Sequence, residues 1–338
     1  MFDTFLTITK RPYRAALAAL GLSLGLATAA SAQSYPAKPV QMVIPFSVGG
    51  PTDIIGRELA KALSEELNQQ FVVENKPGAS GTIATSFVAR AKPDGYTLLF
   101  HEVAATFGIQ PEVMSSLPYD VRQDFTPIGL AARGPIFLLV NDALPVTNLK
   151  ELIALAKEKP GVLTFGSAGG AGQLPTHIGP ELFKVKQGLD ILHVPYKGTG
   201  PALIDLAAGR VSFMMTTGTG SAKAFLDAGK IRAIAVTGKT RSERMPEVAT
   251  FLEQGVPIPE LNEGTGWGLF GPAGMPENAV ARLNAAMQKV LESPQLRASF
   301  ARLDIYPAKS SANELGELMK TESTTWKPLL AKMNIKAG

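Results

Sequence analysis

The chain has 338 residues, of which 45% are apolar and 18% charged, with 33 glycines, 25 prolines and a formal charge of +4. Such a composition excludes a disordered or fibrous chain and suits a folded globular protein of more than one lobe. Cysteine is absent, which excludes disulfides, Cys-ligated zinc, a thiol nucleophile and a lipid anchor on an N-terminal cysteine.

At the N-terminus, Lys10, Arg11 and Arg14 precede an apolar run from Ala15 to Ala29 that ends in Ala30-Ser31-Ala32. A basic start, an apolar run and a small-residue site form the pattern of a secretory signal, expected over residues 1–32 and cleaved after Ala32. The alternative is an uncleaved anchor, because the run approaches the roughly 18 residues that span a bilayer. Its richness in Ala and Gly and its small-residue end favour cleavage, and with it a periplasmic protein. Cleavage removes three basic residues and Asp3, so the formal charge of +4 falls by two. Little pull toward nucleic acid remains.

Beyond the leader, short apolar runs alternate with amphipathic stretches of helical length. Val40 to Ile44, Phe71 to Glu74 and Tyr96 to Phe100 read as strands, Ile54 to Leu67 and Ile83 to Ala91 as helices. His101 to Pro127 reads as loop-rich. The rhythm restarts with strands Ile136 to Val140, Leu163 to Phe165, Ile191 to Val194, Val211 to Met215 and Ile231 to Val236. The helices between them are Leu149 to Lys157, Thr176 to Lys184, Ala202 to Ala208 and Ala222 to Ala228. After a Pro/Gly-rich segment, Gly255 to Pro276, come helices Glu277 to Glu292 and Ala312 to Met333 without a strand series of their own.

Alternation of this kind predicts an α/β fold with parallel sheets. Helices lacking a sheet must pack on an earlier one, so residues 33–131 and 257–338 are expected to form lobe 1 and residues 132–256 lobe 2. Crossings near Ala131 and Pro257 would act as a hinge beside a ligand cleft.

Two strand-to-helix loops can carry chemistry. In Pro45-Phe46-Ser47-Val48-Gly49-Gly50-Pro51-Thr52-Asp53 the glycines allow close approach, and N–H groups at the helix start favour an anion. Gly166-Ser167-Ala168-Gly169-Gly170-Ala171-Gly172-Gln173 is a second such loop in the other lobe. Either could be a plain turn; both at the carboxyl ends of their strands would face one cleft. His193 to Gly200, with Tyr196 and Lys197, and Thr216 to Gly220, with Thr217 and Gly218, are candidates for the lobe 2 wall, although Tyr196 also suits a core and Lys197 a solvated surface.

Enzyme motifs fail in detail. Gly238-Lys239-Thr240 ends like a phosphate loop, but Ala233 stands where its first glycine belongs. Phe165 stands where a nucleophile elbow ending on Ser167 requires glycine. The three histidines, His101, His177 and His193, form no close pair in sequence, so no metal site is expected. His101-Glu102 could serve as a base and its partner, or could tune ligand selection.

The residues resemble those of the substrate-binding components of tripartite tricarboxylate transporters, the Bug proteins. The resemblance rests on Tyr35-Pro36 with Pro39-Val40, Pro45-Phe46 with Gly49-Gly50 and Asp53, and Val73-Glu74-Asn75-Lys76-Pro77-Gly78-Ala79. It continues through Pro93-Asp94-Gly95-Tyr96-Thr97-Leu98, Asp124-Phe125-Thr126-Pro127, His177 with Glu181-Leu182-Phe183, His193-Val194-Pro195-Tyr196-Lys197-Gly198, and Trp267.

It implies a two-lobed Venus-flytrap protein, not an enzyme and without cofactor, that hands a dicarboxylate or aromatic carboxylate to a membrane permease. By resemblance, Phe46 to Asp53 (Phe46, Ser47, Val48, Gly49, Gly50, Thr52, Asp53) and the loop Ser167 to Gln173 (Ser167, Ala168 and Gly169 above all), leading to His177, grip one carboxylate. His101, Glu102 and Ala105 would tune selectivity, since family members tend to carry small hydroxyl residues where His101-Glu102 stands; a glutamate there could favour a ligand amine or hydroxyl and disfavour a second carboxylate, or could point away. The loop before His177 is about two residues longer than usual in the family. A single chain supplying both lobes is expected to act as a monomer. The competing readings are a ligand-sensing subunit for a membrane receptor and a cleft hydrolase or isomerase using His101-Glu102.

Overall fold

The computed structural model describes Met1 and residues 35–168 and 172–333. The expected signal peptide, apart from Met1, lies outside the described residues, as does Gly169. Among the described residues no helix is long and apolar enough to cross a membrane.

Two mixed sheets make two α/β lobes. The first contains β1 (Val40–Ile44), β2 (Phe71–Asn75), β3 (Thr97–Glu102), β4 (Phe125–Gly134), β10 (Thr265–Pro272) and β11 (Tyr306–Pro307), in the order β11-β4-β10-β3-β1-β2. The second contains β5 (Ile136–Asn141), β6 (Thr164–Ala168), β7 (Leu192–Tyr196), β8 (Phe213–Thr217) and β9 (Ile231–Val236), in the order β7-β6-β8-β5-β9. Strands joined by helices pair in parallel, β1 with β2 and β3, β6 with β7 and β8. Strands that arrive from the other lobe pair antiparallel: β10 with β3 and β4, and β5 with β8 and β9. The sheets are therefore mixed rather than parallel, because a strand entering without a crossover helix is free to run against its neighbours.

β4 ends at Gly134 and β5 begins at Ile136 in the other sheet, so the first crossing falls at Pro135, just past the expected Ala131. The return crossing lies between Val236 and Thr265. The two crossings touch: Gly264, at φ +63°, faces the Gly134 carbonyl so closely that a side chain there would collide with it.

β10 was not legible as a strand. Gly266, Gly268 and Gly271 dilute its apolar pattern, yet all eight of its residues are buried and it pairs on both sides. A Cβ on Gly268 would press on Phe270 and Leu315, so the gap admits the C-terminal helix against the sheet. The stretch expected as loop after His101 instead holds a buried π-type turn, Ala104–Ile109.

Alternation along the strands builds a helix layer on each face. Val40, Met42 and Ile44 join the core beneath helices Pro51–Leu67 and Glu277–Val290, while Val43 joins the opposite core with Val88, Phe107 and Leu315. In the second lobe Leu138 and Phe165 face one core, Phe137 and Met214 the other. The last helix, Ala312–Met333, straddles both lobes: Leu315 packs in the first, Trp326 and Leu330 in the core of the second.

Candidate functional site

Between the lobes lies a cavity of about 150 Å³. That matches the scale of an engineered apolar cavity, about 150 Å³, that admits benzene, and so suits one small organic molecule. The first lobe contributes Phe46, Ser47, Val48, Gly50, Pro51, Thr52 and Glu102. The second contributes Ala168, Gln173, Pro175, Thr176, Lys197, Gly198, Thr199, Gly200, Pro201 and Thr216.

Two helices begin at this cavity. Helix Pro51–Leu67 starts after Gly50 and helix Thr199–Ala207 after Gly198, and neither has a side-chain cap. First-turn N–H groups lack intrahelical partners, and the helix dipole makes that end attractive to anions. Two such ends from opposite lobes, beside the Lys197 ammonium, give the cavity the chemistry that attracts an anion. The lobes are close here, with ordinary van der Waals room between Gly198 and Ser47 and between Gly50 and Thr199.

The loop of the first lobe is held from behind. Asp53, 2% exposed, accepts hydrogen bonds from the Gly49 N–H at 2.9 Å, Arg57 Nε at 2.9 Å and Asn75 Nδ2 at 2.8 Å. Burial alone would raise its pKa, but Arg57, Gly49 and Asn75 more than offset this and hold the carboxyl below its ordinary range. Gly49 sits at φ +89°, which lets its N–H turn back onto that carboxylate. Neither Asp53 nor Gly49 lines the cavity; they shape the loop that does.

Phe46, Ser47, Val48, Gly50, Thr52, Glu102, Ala168 and Lys197 thus line the cavity as expected residues, while their neighbours in the strands face away. Ser167 is fully buried and its Oγ lies 2.6 Å from His193 Nε2. Thr217 lies on the seam between lobes, its Oγ1 2.6 Å from that of Thr265, and Gly218 packs against Leu303. Tyr196 shares the face of its register partner Ala168 but reaches along helix Thr199–Ala207 and donates to Asp205 Oδ2 at 2.8 Å, so it does not line the cavity, and Ala105 is enclosed in the π-type turn. For Ser167 and Thr217 the physical reason is the two-residue period of a strand, which sends consecutive side chains to opposite faces and leaves Ala168 and Thr216 at the cavity.

His101 and Glu102 divide in the same way. His101 is fully buried, edge-on to Phe46 with centroids 5.3 Å apart, and its Nδ1 accepts from the Glu102 N–H at 2.6 Å. Burial pushes it down to about 3, so it is neutral. The side chains do not form the acid–base pair considered from sequence, since a base must reach the substrate.

The second-lobe histidines meet although 16 positions separate them in sequence. His193 stacks on Phe165 at 4.7 Å and on His177 at 4.6 Å, and Glu181 joins them, with possible ligand atoms of all three within 4.8 Å. Spacing along the chain gave no hint of this cluster. His177 Nδ1 accepts from the Gly172 N–H at 3.2 Å, so the neutral ring keeps its proton on Nε2 and lacks a second free lone pair. Lys184 Nζ lies 3.0 Å from Glu181 Oε1 and already supplies a cation. The cluster reads as a support for Ser167 and for the loop above it.

Pro51 and Gln173, inside the two loops named from sequence, and Gly198, Thr199, Gly200 and Thr216, inside the expected wall loops, also line the cavity, whereas Pro175, Thr176 and Pro201 do so without having been singled out. Proline in a first helical turn is a usable signal for several of them, since it marks where chain-end N–H groups begin.

A family model described as the tripartite tricarboxylate transporter family receptor matches residues 55–335. The chain belongs to this family. BugT of Bordetella pertussis is 32% identical over 323 residues, covering 95% of this chain and 98% of that relative. Among solved structures, an R. palustris protein with adipate is similar at 34% identity and TM-score 0.83, covering 89% of this chain and 99% of its own. MatC from Rhodopseudomonas palustris with bound malate is similar at 31% identity and TM-score 0.80, covering 88% and 100%. The family receptor is thus a solute-binding protein with a fold of two lobes, and the resemblance read from sequence holds.

Proposed function

We propose that the mature protein works in the periplasm as a monomer, closes on a dicarboxylate or aromatic carboxylate, and delivers it unchanged to the membrane permease of a tripartite transporter. The observation that carries this is the pair of uncapped helix N-termini, at Gly50 and Gly198, that meet from opposite lobes at one small cavity. The adipate and malate bound by proteins about one-third identical support the ligand class. His101, turned away from the cavity, supports binding without turnover.

A thermal-shift screen of protein purified from the periplasmic fraction, against mono-, di- and tricarboxylates, aromatic acids and amino acids, tests the reading. A ligand at 100 times its Kd adds about 2.7 kcal/mol and raises Tm by several degrees. Recovery of the ligand intact, and a mature N-terminus at Gln33, complete the expected result. No shift with any acid, once co-purified ligand is excluded, or conversion of the ligand would overturn it.

A further inference from the structure

We infer that Glu102 meets the ligand as a neutral carboxylic acid, donating a hydrogen bond to a second acidic group, and so makes the site prefer diacids to matched monoacids. This rests on the carboxylate reading above and concerns the side of the cavity where β3 ends, next to Trp267, the cross-strand partner of Glu102.

Glu102 ends β3, lines the cavity and is 5% exposed; its Oε2 is enclosed and has no hydrogen-bond partner among the described residues. A buried carboxylate is tolerated only when paired, and the surrounding elements offer no pair. On its own strand, His101 faces the other way. The flanking strands, Val40–Ile44 and Thr265–Pro272, carry no titratable side chain. In helix Pro51–Leu67, Asp53 is occupied by Arg57 and Asn75. From the other lobe the charged residue at the cavity is Lys197, itself exposed. Burial therefore acts alone on Glu102 and pushes it up to about 8, leaving it protonated at neutral pH.

Across the cavity Thr216 Oγ1 is likewise enclosed and unpartnered. Two hydroxyl groups, one from each lobe, thus await an acceptor. A second carboxylate offers lone pairs to both, whereas a methyl group leaves both unsatisfied, the mismatch by which polar sites reject analogues.

Calorimetry on the purified protein decides the matter, using succinate, glutarate, adipate and terephthalate against butyrate, pentanoate, hexanoate and benzoate. At pH 7 the best diacid is expected to bind at least about tenfold more tightly than its monoacid. Its affinity should fall about tenfold between pH 7 and pH 9, because binding requires the proton that Glu102 loses through about 8. Glu102→Gln keeps a donor but does not titrate, so it should keep diacid binding and abolish the fall. Equal binding of diacid and monoacid, affinity that rises toward pH 9, or loss of diacid binding in a Glu102→Gln protein that melts like wild type would each overturn the inference while leaving the carboxylate site standing. If no acid of either series binds, the site itself fails and the inference with it.

Discussion

The indole Nε1 of Trp267 donates a hydrogen bond to Thr52 Oγ1 at 3.0 Å, tying the returning strand β10 to the first turn of the helix that opens onto the cavity. The bond spans 215 positions and is buried. Thr52→Val removes the acceptor and leaves an enclosed N–H without a partner, a cost of about 1–3 kcal/mol. A lowered Tm together with weakened ligand affinity is expected for Thr52→Val, and Thr52→Ser should restore both.

Strand parity separates Ser167 from Ala168. Ser167→Ala breaks the contact with His193 and should cost about 1 kcal/mol of stability while leaving ligand affinity within about threefold. Ala168→Leu, whose side chain would enter the cavity, should abolish binding. Chemical denaturation and calorimetry on the two variants check the contrast, and a loss of affinity in Ser167→Ala would return that residue to the site.

Asp53 is expected to affect ligand affinity through the loop it holds. Asp53→Asn loses charged hydrogen bonds to Arg57 and Gly49 and should cost about 1.5–3 kcal/mol, with affinity reduced although the side chain lines no part of the cavity. Because its folded pKa is lowered, its contribution is present above its ordinary value of 3.8 and is lost as pH falls through the lowered one. Wild-type and variant melting curves should therefore converge in acid.

The histidines set an acid limit of opposite origin. Burial, first among its causes, holds His177 down at about 4, burial alone holds His101 at about 3, and burial lowers His193 as well, against an ordinary value of 6.5. Between pH 6.5 and 4 the unfolded chain takes up protons that the folded chain refuses, so stability falls as pH drops through that window. Tm measured from pH 7 to pH 4 should decline, and His177→Gln should flatten part of the slope.

Closure can be trapped covalently. A Cβ on Gly198 would lie 3.7 Å from Cβ of Ser47, inside the range of about 3.5–4.5 Å that a disulfide requires. Since the chain has no other cysteine, oxidised Ser47→Cys/Gly198→Cys is expected to retain bound ligand and release it only on reduction. Free exchange of ligand in the oxidised protein would show that these loops do not gate the cavity.

Local chemistry along the chain was enough to name the loops: glycines and prolines between a strand and a helix leave N–H groups free, and this holds wherever the helix goes. It was enough too for the leader pattern and for the α/β alternation of most elements. The tertiary structure decided which member of each adjacent pair faces the cavity, Glu102 over His101, Ala168 over Ser167, Thr216 over Thr217. Apolar and polar residues are mixed at these buried strand ends, so no solvent-facing pattern marks the inner face. It also decided that the glycine-diluted stretch Thr265–Pro272 is a central strand and that His177, Glu181 and His193 meet, because pairing across the lobes and packing beneath a sheet depend on partners far away in sequence.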